Sequence, residues 1–144
     1  MRLSNLADYA VVLMGALARH CGGARTNTAA LAAETGLAQP TVHKLVHALV
    51  RAGLLRTVRG ANGGVKLARP AAAISLADIV EAIEGPIALT SCMETPPQPC
   101  ALSCDCQTRG HWAVVNRAVR GALGDVSLAS LSRPAAPVAQ ELAS

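Results

Sequence analysis

The residues best suited to chemistry in this sequence are cysteines crowded into one short segment. Four of the five cysteines lie within fifteen residues and form the pattern C-x7-C-x3-C-x-C: Cys92, Cys100, Cys104 and Cys106. Thiolates at such spacings on a loop can converge on one centre, as soft ligands of an iron–sulfur cluster or of zinc. The absence of paired C-x2-C knuckles favours the cluster over zinc. A thiol switch, in which two of these cysteines form a reversible disulfide, is the third interpretation.

A second group of polar residues lies in the first turns of a predicted helix, where side chains can reach DNA bases. Gln39 can contact adenine through two hydrogen bonds, and Lys44 can reach guanine or the phosphate backbone. Thr41 can meet a thymine methyl group or a phosphate, or it can simply cap the helix. His43 and His47 lie one turn apart, a spacing that a metal pair could use, but their face is mostly opposite the apolar stripe, which favours phosphate contact or simple exposure.

A glycine-rich segment follows this helix and predicts a β-hairpin wing. Residues 54–59 and 65–68 form the two arms, with Gly60, Gly63 and Gly64 at the tip. Such glycines permit positive φ and a close backbone approach, and Arg59 beside the tip can enter a narrow minor groove. The full set of predicted DNA contacts is Thr28, Gln39, Pro40, Thr41, His43, Lys44, Arg51, Arg59, Gly60 and Gly63.

The elements that must position these residues are mainly helices. Hydrophobic periodicity predicts helices over residues 3–20, 29–35, 39–52, 74–84 and 111–123, with a further turn at 127–131. Ser4 and Thr28 are the predicted N-caps of the first two helices, and Gly36 ends the second. The tight turn from Gly36 to the helix at Gln39 is typical of a helix-turn-helix.

Charge divides the chain into two halves. Residues 1–70 carry nine Lys or Arg against two acidic residues, whereas residues 71–144 carry four against seven. A basic half followed by a mildly acidic half indicates a polyanion-binding module followed by a sensing or assembly module. No serine–histidine–acid or paired-carboxylate arrangement stands out, so we expect no enzymatic activity. The apolar run at 9–18 is shorter than the ~20 residues that a membrane span needs, so we expect a cytoplasmic protein.

Three segments together carry a family resemblance: residues 1–10, the wing at 58–64 and residues 75–84. They resemble the Rrf-type family of winged-helix transcriptional regulators, which includes IscR, NsrR and RirA, and within it the regulators of the SUF iron–sulfur assembly operon. The match covers about residues 1–132 with its motifs in order. It implies a mainly α fold with a small β-hairpin, in which a winged helix-turn-helix precedes a long dimerisation helix.

The resemblance also implies a partner and a ligand set. The partners are a double-stranded, partly palindromic DNA operator and a second copy, paired through the helix predicted from His111 to Leu123. The three ligating cysteines of the family match Cys92, Cys100 and Cys106 best. Arg109 stands where IscR-type members carry a histidine ligand and cannot serve as one. Asp8 stands where some members supply an acid from the partner subunit, so it competes with the extra thiol of Cys104 for the fourth position.

The expected organisation is therefore a DNA-binding domain at 1–70, a cysteine-loop sensor and dimerisation region at 71–132, and a flexible tail at 133–144. The expected function is that of an iron–sulfur-dependent regulator, expected to act as a repressor, whose two-iron or four-iron cluster controls the spacing of the two recognition helices. A zinc-dependent or thiol-based redox regulator is the first alternative. A small iron–sulfur electron carrier is an alternative of another class, but it leaves the basic wing and the long helix without a purpose.

Overall fold

The fold was analysed in a computed structural model of the chain, and residues 2–20, 25–61, 63–102 and 105–134 are described. Its elements in chain order are α1 (Asn5–Arg19), α2 (Thr28–Thr35), α3 (Gln39–Arg51), β1 (Leu55–Val58), β2 (Gly64–Leu67), α4 (Leu76–Glu84), α5 (Arg109–Gly124) and α6 (Leu128–Leu131). Short 3-10 turns at Ala71–Ala73 and Ser91–Met93 flank α4. The two strands pair antiparallel. The predicted class, mainly helical with one small hairpin, is confirmed.

The first helix begins where its cap predicts. The Ser4 hydroxyl oxygen accepts a hydrogen bond from the backbone N–H of Ala7 at 3.2 Å, and the extended conformation of Ser4 starts α1 at Asn5. The helix therefore begins two residues later than the periodicity predicts. The sequence also predicts that Gly22 and Gly23 end this helix, and these two residues lie outside the described part of the chain.

The second helix is capped by a different residue from the one predicted. Thr28 is not the cap but the first residue of α2, and the Asn27 side-chain oxygen accepts the N–H of Ala30 at 2.7 Å. The reason is a tertiary contact: Thr26 exchanges two backbone hydrogen bonds with Val65 of β2, at 3.2 and 2.7 Å. This bridge keeps the chain extended up to Asn27, which then caps the helix, so α2 begins at Thr28, one residue earlier than predicted.

We expect Asn27→Ala to destabilise the fold by about 1 kcal/mol, because an orphan N–H at the start of α2 loses its acceptor. Urea unfolding followed by circular dichroism measures the change. Thr28→Ala is the matched control, since Thr28 caps nothing and its loss should cost clearly less. A larger loss in Thr28→Ala than in Asn27→Ala would contradict the capping assignment.

The turn between α2 and α3 has the geometry that the sequence predicts. Gly36 adopts φ of 73°, the left-handed conformation that favours glycine, and its N–H bonds the carbonyl oxygen of Ala32. Pro40 lies in the first turn of α3, where a missing N–H costs nothing. Gly53 follows α3 with φ of 77°. The helix-turn-helix is therefore defined by two glycines and one proline.

An ion-pair cluster joins the end of α1 to α2. The Glu34 carboxylate lies 2.8 Å from His20 Nε2 and 3.3 Å from an Arg19 guanidinium nitrogen. The hydrogen bond with His20, with a smaller contribution from Arg19, lowers the pKa of Glu34 below its ordinary value. A lowered carboxyl pKa means that the native state is stabilised when Glu34 is ionised.

Glu34→Gln should therefore lower the free energy of unfolding above the ordinary carboxyl pKa of about 4.3, and the loss should shrink as pH falls through the native pKa. The pair is partly exposed, so we expect a loss of about 0.2–1 kcal/mol at neutral pH. Thermal unfolding of both proteins between pH 3 and pH 7 measures it. A difference that grows toward acid pH would contradict the sign of the pKa shift.

One apolar core contains residues from both halves of the chain. It has no phenylalanine and is built from leucine, isoleucine, valine, alanine and methionine; its largest fully buried side chains include Leu13, Met14, Leu31, Leu45, Leu49, Leu54, Leu55, Ile74, Ile79 and Leu128. Helix α4 enters this core through Ile79 and begins with a capping box between Ser75 and Asp78. Leu128 returns to the same core after α5, where its N–H bonds the carbonyl oxygen of Ile74 at 2.7 Å.

Helix α5 differs from the other long helices because none of its residues is buried in the single chain. Trp112, Val114 and Val115 are 41%, 62% and 44% exposed. Of the apolar stripe predicted from sequence, Trp112 and Val115 are exposed, whereas Val119 and Leu123 are half-buried. The helix starts at Arg109, two residues before its predicted start. Residues 135–144, most of the predicted flexible tail, lie outside the described part of the chain.

Candidate nucleic-acid interface and cysteine pocket

The two faces of α3 separate packing from recognition. Val42, Leu45 and Leu49 are fully buried against α1, α2 and α4. Gln39, Pro40, His43 and Lys44 are exposed, and Thr41 is half-buried. An exposed polar N-terminal half on an anchored helix has the form of a recognition helix, because such helices place their first turns in the major groove.

Not all predicted contacts cluster at that end of α3. Arg51 is the last residue of the helix, about 18 Å along the axis from Gln39 at 1.5 Å per residue. It lines a small pocket together with Glu81 of α4. His47 is exposed between the two ends. The geometry thus groups Gln39, Thr41, His43 and Lys44, and it leaves Arg51 apart from them.

The wing requires glycine at its tip for reasons that the structure makes specific. Gly60 has φ of 113°, which L side chains rarely adopt. A Cβ on Gly63 would lie 2.5 Å from the carbonyl oxygen of Val58, and one on Gly64 would lie 2.5 Å from that of Thr26. Arg59 is exposed immediately after β1. The tip is therefore a tightly folded support that presents the Arg59 side chain.

A polar groove between the wing and the start of α2 was not predicted from the sequence. It is lined by Arg25, Thr26, Asn27, Ala61 and Gly63. The groove contains a cation beside a helix N-terminus, a combination that favours anions such as DNA phosphates. Arg25 is visible in the sequence as one more basic residue, but only the bridge from Thr26 to Val65 brings it to the wing.

Three cysteines line one pocket ahead of α5. Cys92, Cys100 and Cys106, together with Arg109 and the 97–99 segment, surround a cavity of about 250 Å³. These are the three cysteines that the sequence singles out. All three are free thiols; Cys100 is exposed and the other two are half-buried. The donor set, three soft sulfurs around one cavity, fits an iron–sulfur cluster chemically.

Two of the thiols in this pocket lie within hydrogen-bond distance of nearby threonine hydroxyls, and the described thiols are not arranged as ligands of one metal ion. Cys92 Sγ lies 3.2 Å from the Thr90 hydroxyl, and Cys106 Sγ lies 3.3 Å from the Thr108 hydroxyl. The hydrogen bond with Thr108 is the main cause that lowers the pKa of the Cys106 thiol. Within the described ranges, no three His, Cys, Asp or Glu side chains are close enough to hold a metal ion. Binding a cluster therefore requires the loop to draw its thiols together.

The two contenders for a fourth ligand are not resolved by a single chain. Cys104 lies outside the described residues. Asp8 is exposed on α1 and does not line the cysteine pocket. Its neighbours Tyr9 and Val12 are exposed apolar side chains, 36% and 42% accessible. Within the described part of one chain, Asp8 therefore stands apart from the cysteine pocket.

A helix-turn-helix followed by a two-stranded hairpin defines this chain as a winged-helix DNA-binding protein. A profile of the Rrf2 family, described as an iron-dependent transcriptional regulator, matches residues 3–134. The chain belongs to the Rrf2 family. This is a family of transcriptional regulators rather than enzymes, so the resemblance seen in the sequence and the expected absence of enzymatic activity are both confirmed.

Curated and structural relatives agree with this assignment. The chain is 30% identical over 119 residues to the HTH-type transcriptional regulator NsrR of Oceanobacillus iheyensis, covering 83% of this chain and 79% of that protein. The structure of CymR, the global cysteine regulator of B. subtilis, matches with a TM-score of 0.74, 28% identity and coverage of 92% and 96%. That of T. potens IscR matches with a TM-score of 0.67, 27% identity and coverage of 91% and 85%.

The long helices carry no membrane-spanning signature. No helix in the described ranges is both long enough and apolar enough to cross a membrane.

Proposed function

We propose that this chain is an iron–sulfur-dependent DNA-binding repressor, acting in the cytoplasm on genes of iron–sulfur cluster assembly or of iron and redox stress. The observation that carries the proposal is the cavity lined by Cys92, Cys100 and Cys106 directly before α5. The division of labour follows the chain: residues 1–70 bind the operator, and residues 71–132 hold the sensor and the dimer contact.

The residues have distinct roles in this proposal. Cys92, Cys100 and Cys106 would ligate the cluster, which supplies a centre whose loss or oxidation reports on iron and redox conditions. The fourth ligand is Cys104 or Asp8 from a second subunit. Arg109 at the start of α5 lines the cavity, and its positive charge would offset the negative charge of the thiolates. Gln39, Thr41, His43 and Lys44 would read the major groove while Arg59 enters the minor groove.

Purification without oxygen, followed by absorbance spectroscopy and by iron and sulfide analysis, tests the cofactor directly. The expected result is a coloured protein that contains iron and acid-labile sulfide in similar amounts. Operator binding should then differ between the loaded protein and the metal-free reduced protein. A colourless protein that holds stoichiometric zinc, or no metal at all, would sink the cluster proposal.

A homodimer is part of the proposal, because α5 buries none of its residues within one chain. Exposed apolar side chains on α1 (Tyr9, Val12), just before it (Leu3) and on α5 (Trp112, Val114, Val115) suggest that both helices contribute to the contact. A twofold dimer places its recognition helices on half-sites about 34 Å apart, one turn of DNA.

We expect Val115→Glu to dissociate this dimer, because a charge would be buried in an apolar interface without a partner. Light scattering coupled to size-exclusion chromatography measures the mass. Arg117→Glu, a charge change at an exposed α5 residue with no side-chain hydrogen bond in the described part of the chain, is the control. Unchanged mass in Val115→Glu would place the interface elsewhere.

A thiol-based sensor is the second candidate, and the state of Cys106 favours it specifically. Its thiol is hydrogen-bonded to the Thr108 hydroxyl, has a lowered pKa and lines a cavity with two other cysteines. The solved relative CymR is described as a cysteine regulator. Peptide mass mapping after peroxide treatment of metal-free protein would identify a disulfide within the loop, and operator binding before and after reductant would show whether it matters.

A further inference from the structure

The chain segment that leads into the cysteine pocket is held by two side chains from different helices. Asn116 of α5 donates from Nδ2 to the carbonyl oxygen of Ile87 at 2.9 Å, and its Oδ1 accepts the N–H of Leu89 at 2.8 Å. One amide side chain thus satisfies a backbone acceptor and a backbone donor, as a neighbouring strand would. Cys92 follows Leu89 by three residues.

The second side chain is Glu81 of α4. Its two carboxylate oxygens accept hydrogen bonds from Nε and Nη2 of Arg120 on α5, at 3.0 and 3.1 Å. Oε1 also accepts the N–H of Ile87 at 3.3 Å. We call the five residues Glu81, Ile87, Leu89, Asn116 and Arg120 the loop anchor. Its five hydrogen bonds join α4, the 87–89 segment and α5.

The loop anchor continues toward the DNA-binding helix. Helix α4 packs against α1 and α3, and Ile79, two residues before Glu81, is fully buried in the shared core. Glu81 also lines a small pocket with Ala48 and Arg51 at the C-terminal end of α3. A path of contacts therefore runs from the 87–89 segment, three residues before Cys92, through the hydrogen bond between Ile87 and Glu81 to α4, and from α4 to the recognition helix.

The energetics of the loop anchor indicate positioning more than stability. The Arg120 side chain is 54% exposed, and exposed ion pairs contribute little to folding even in a two-bond geometry. What the arrangement does fix is the position of the 87–89 backbone relative to two helices at once.

We infer that Asn116 and Glu81 are positioning residues that transmit the state of the cysteine pocket to the recognition helix. This inference rests on the proposed sensor function. A change in loop geometry at Cys92 pulls on the 87–89 backbone, and the loop anchor converts that pull into a shift of α4 against α3. Coupling of this kind requires an element that both sites contact, and α4 with its Glu81 side chain is that element.

Hydrogen–deuterium exchange on the full-length, metal-free protein tests the path without any cofactor. Iodoacetamide alkylation of the loop thiols serves as the perturbation. In the wild type, alkylation should change deuterium uptake at 87–90 and also in α4 and the end of α3. In Asn116→Ala and in Arg120→Glu, the change should stop at the loop. The inference would be overturned if alkylation changed deuterium uptake only in the loop of the wild type. It would also be overturned if the change in α4 and α3 persisted unaltered in both variants.

Two further variants guard against simple unfolding. Glu81→Arg combined with Arg120→Glu restores an ion pair of reversed polarity, but an arginine at position 81 cannot accept the N–H of Ile87, because a guanidinium only donates. This charge swap should therefore leave propagation lost while deuterium uptake elsewhere stays native. Arg117→Ala removes a charge from the same helix outside the loop anchor and should behave as wild type. Propagation recovered in the charge swap would exclude the hydrogen bond between Ile87 and Glu81 from the path.

Operator binding separates this inference from the proposed function. For the iron- and sulfide-reconstituted protein against the metal-free protein, wild-type affinities should differ by about 5–150-fold, the usual range for coupled sites, and Asn116→Ala should bring the ratio close to 1. Equal wild-type affinities with intact propagation of uptake changes would remove the proposed sensor function and leave the loop anchor supported.

Discussion

Replacing Cys92 with alanine is expected to abolish iron binding while leaving the metal-free protein folded and able to bind DNA. Cys92 is one of three thiols around the proposed cluster cavity, and a two- or four-iron cluster cannot complete its ligand set there without it. The affinity for iron should fall by more than about 10–100-fold, which is the loss of metal affinity seen when only a residue that hydrogen-bonds a metal ligand is removed. Iron and sulfide analysis after anaerobic reconstitution measures it.

Two controls make the Cys92 result specific. Cys21→Ala removes a cysteine outside the loop and should retain iron. Thr90→Val keeps the Cys92 thiol but removes the hydroxyl that lies 3.2 Å from it, so it separates ligation from local packing. Full iron content in Cys92→Ala would assign the ligands to the other loop cysteines, and equal loss in Cys21→Ala would indicate general unfolding.

The fold was largely predictable because the ends of its helices and strands are determined mostly by the residues at those ends. Gly36 and Gly53 act through their own backbone conformation and Ser4 acts through its hydroxyl, and each marks a helix terminus in the structure. The hairpin was predictable for the same reason, although β1, Leu55–Val58, is two residues shorter than its predicted arm and β2, Gly64–Leu67, lies one residue earlier than its predicted arm.

The predicted helix starts are wrong where a contact between residues far apart in the sequence decides which of two neighbouring residues begins the helix. Asn27 and Thr28 are both good caps, so the sequence alone cannot choose between them. The choice is made by the bridge between Thr26 and Val65, which are 39 positions apart in the printed sequence. The start of α5 is similar, since periodicity registers the helix only from its apolar stripe while the backbone already turns at Arg109.

The candidate site shows the same division. Residue types identified four cysteines of one loop as candidate donors, because cysteines so close together stand out, and the family resemblance selected Cys92, Cys100 and Cys106 among them. The loop anchor gave no signal, since Asn116 contacts backbone groups 27 and 29 residues away and an isolated asparagine on a helix has no periodicity. Backbone recognition by a side chain depends on where the loop passes, and only the folded chain contains that information.

The segment after α5 shares one apolar core with the helix-turn-helix. Leu128 packs in that core with Ile74 and with residues of α1 and α3, so the C-terminal end of α5 is tied to these elements. We therefore expect that a ligand-induced change at the cysteine pocket cannot move α5 without also straining α4. We expect the DNA-binding surface to move as one body, so that the effect of removing a single DNA contact can be measured while the other contacts stay unchanged.

Lys44→Ala and Arg59→Ala are each expected to weaken operator binding by about 1–3 kcal/mol, or roughly 5–150-fold, with different signatures. Lys44 is exposed on α3 and Arg59 is exposed at the wing, so neither substitution removes a buried group. If Lys44 contacts a phosphate, its loss should weaken all sequences alike and reduce the salt slope by about 1. If Arg59 reads groove shape, its loss should relax preference for the narrow-groove part of the operator.

Fluorescence anisotropy at several salt concentrations measures both effects, with a duplex enriched by in vitro selection on the wild-type protein. Arg133→Ala removes an exposed cation after α6 and serves as the charge control, for which affinity should stay close to wild type. Because Lys44 and Arg59 lie on separate elements, their losses should add in the double variant to within about 0.5 kcal/mol. If the double variant binds the operator with wild-type affinity, the DNA-binding surface does not lie on α3 and the wing. The proposed path from the cysteine pocket to α3 would then not end at the DNA-binding surface.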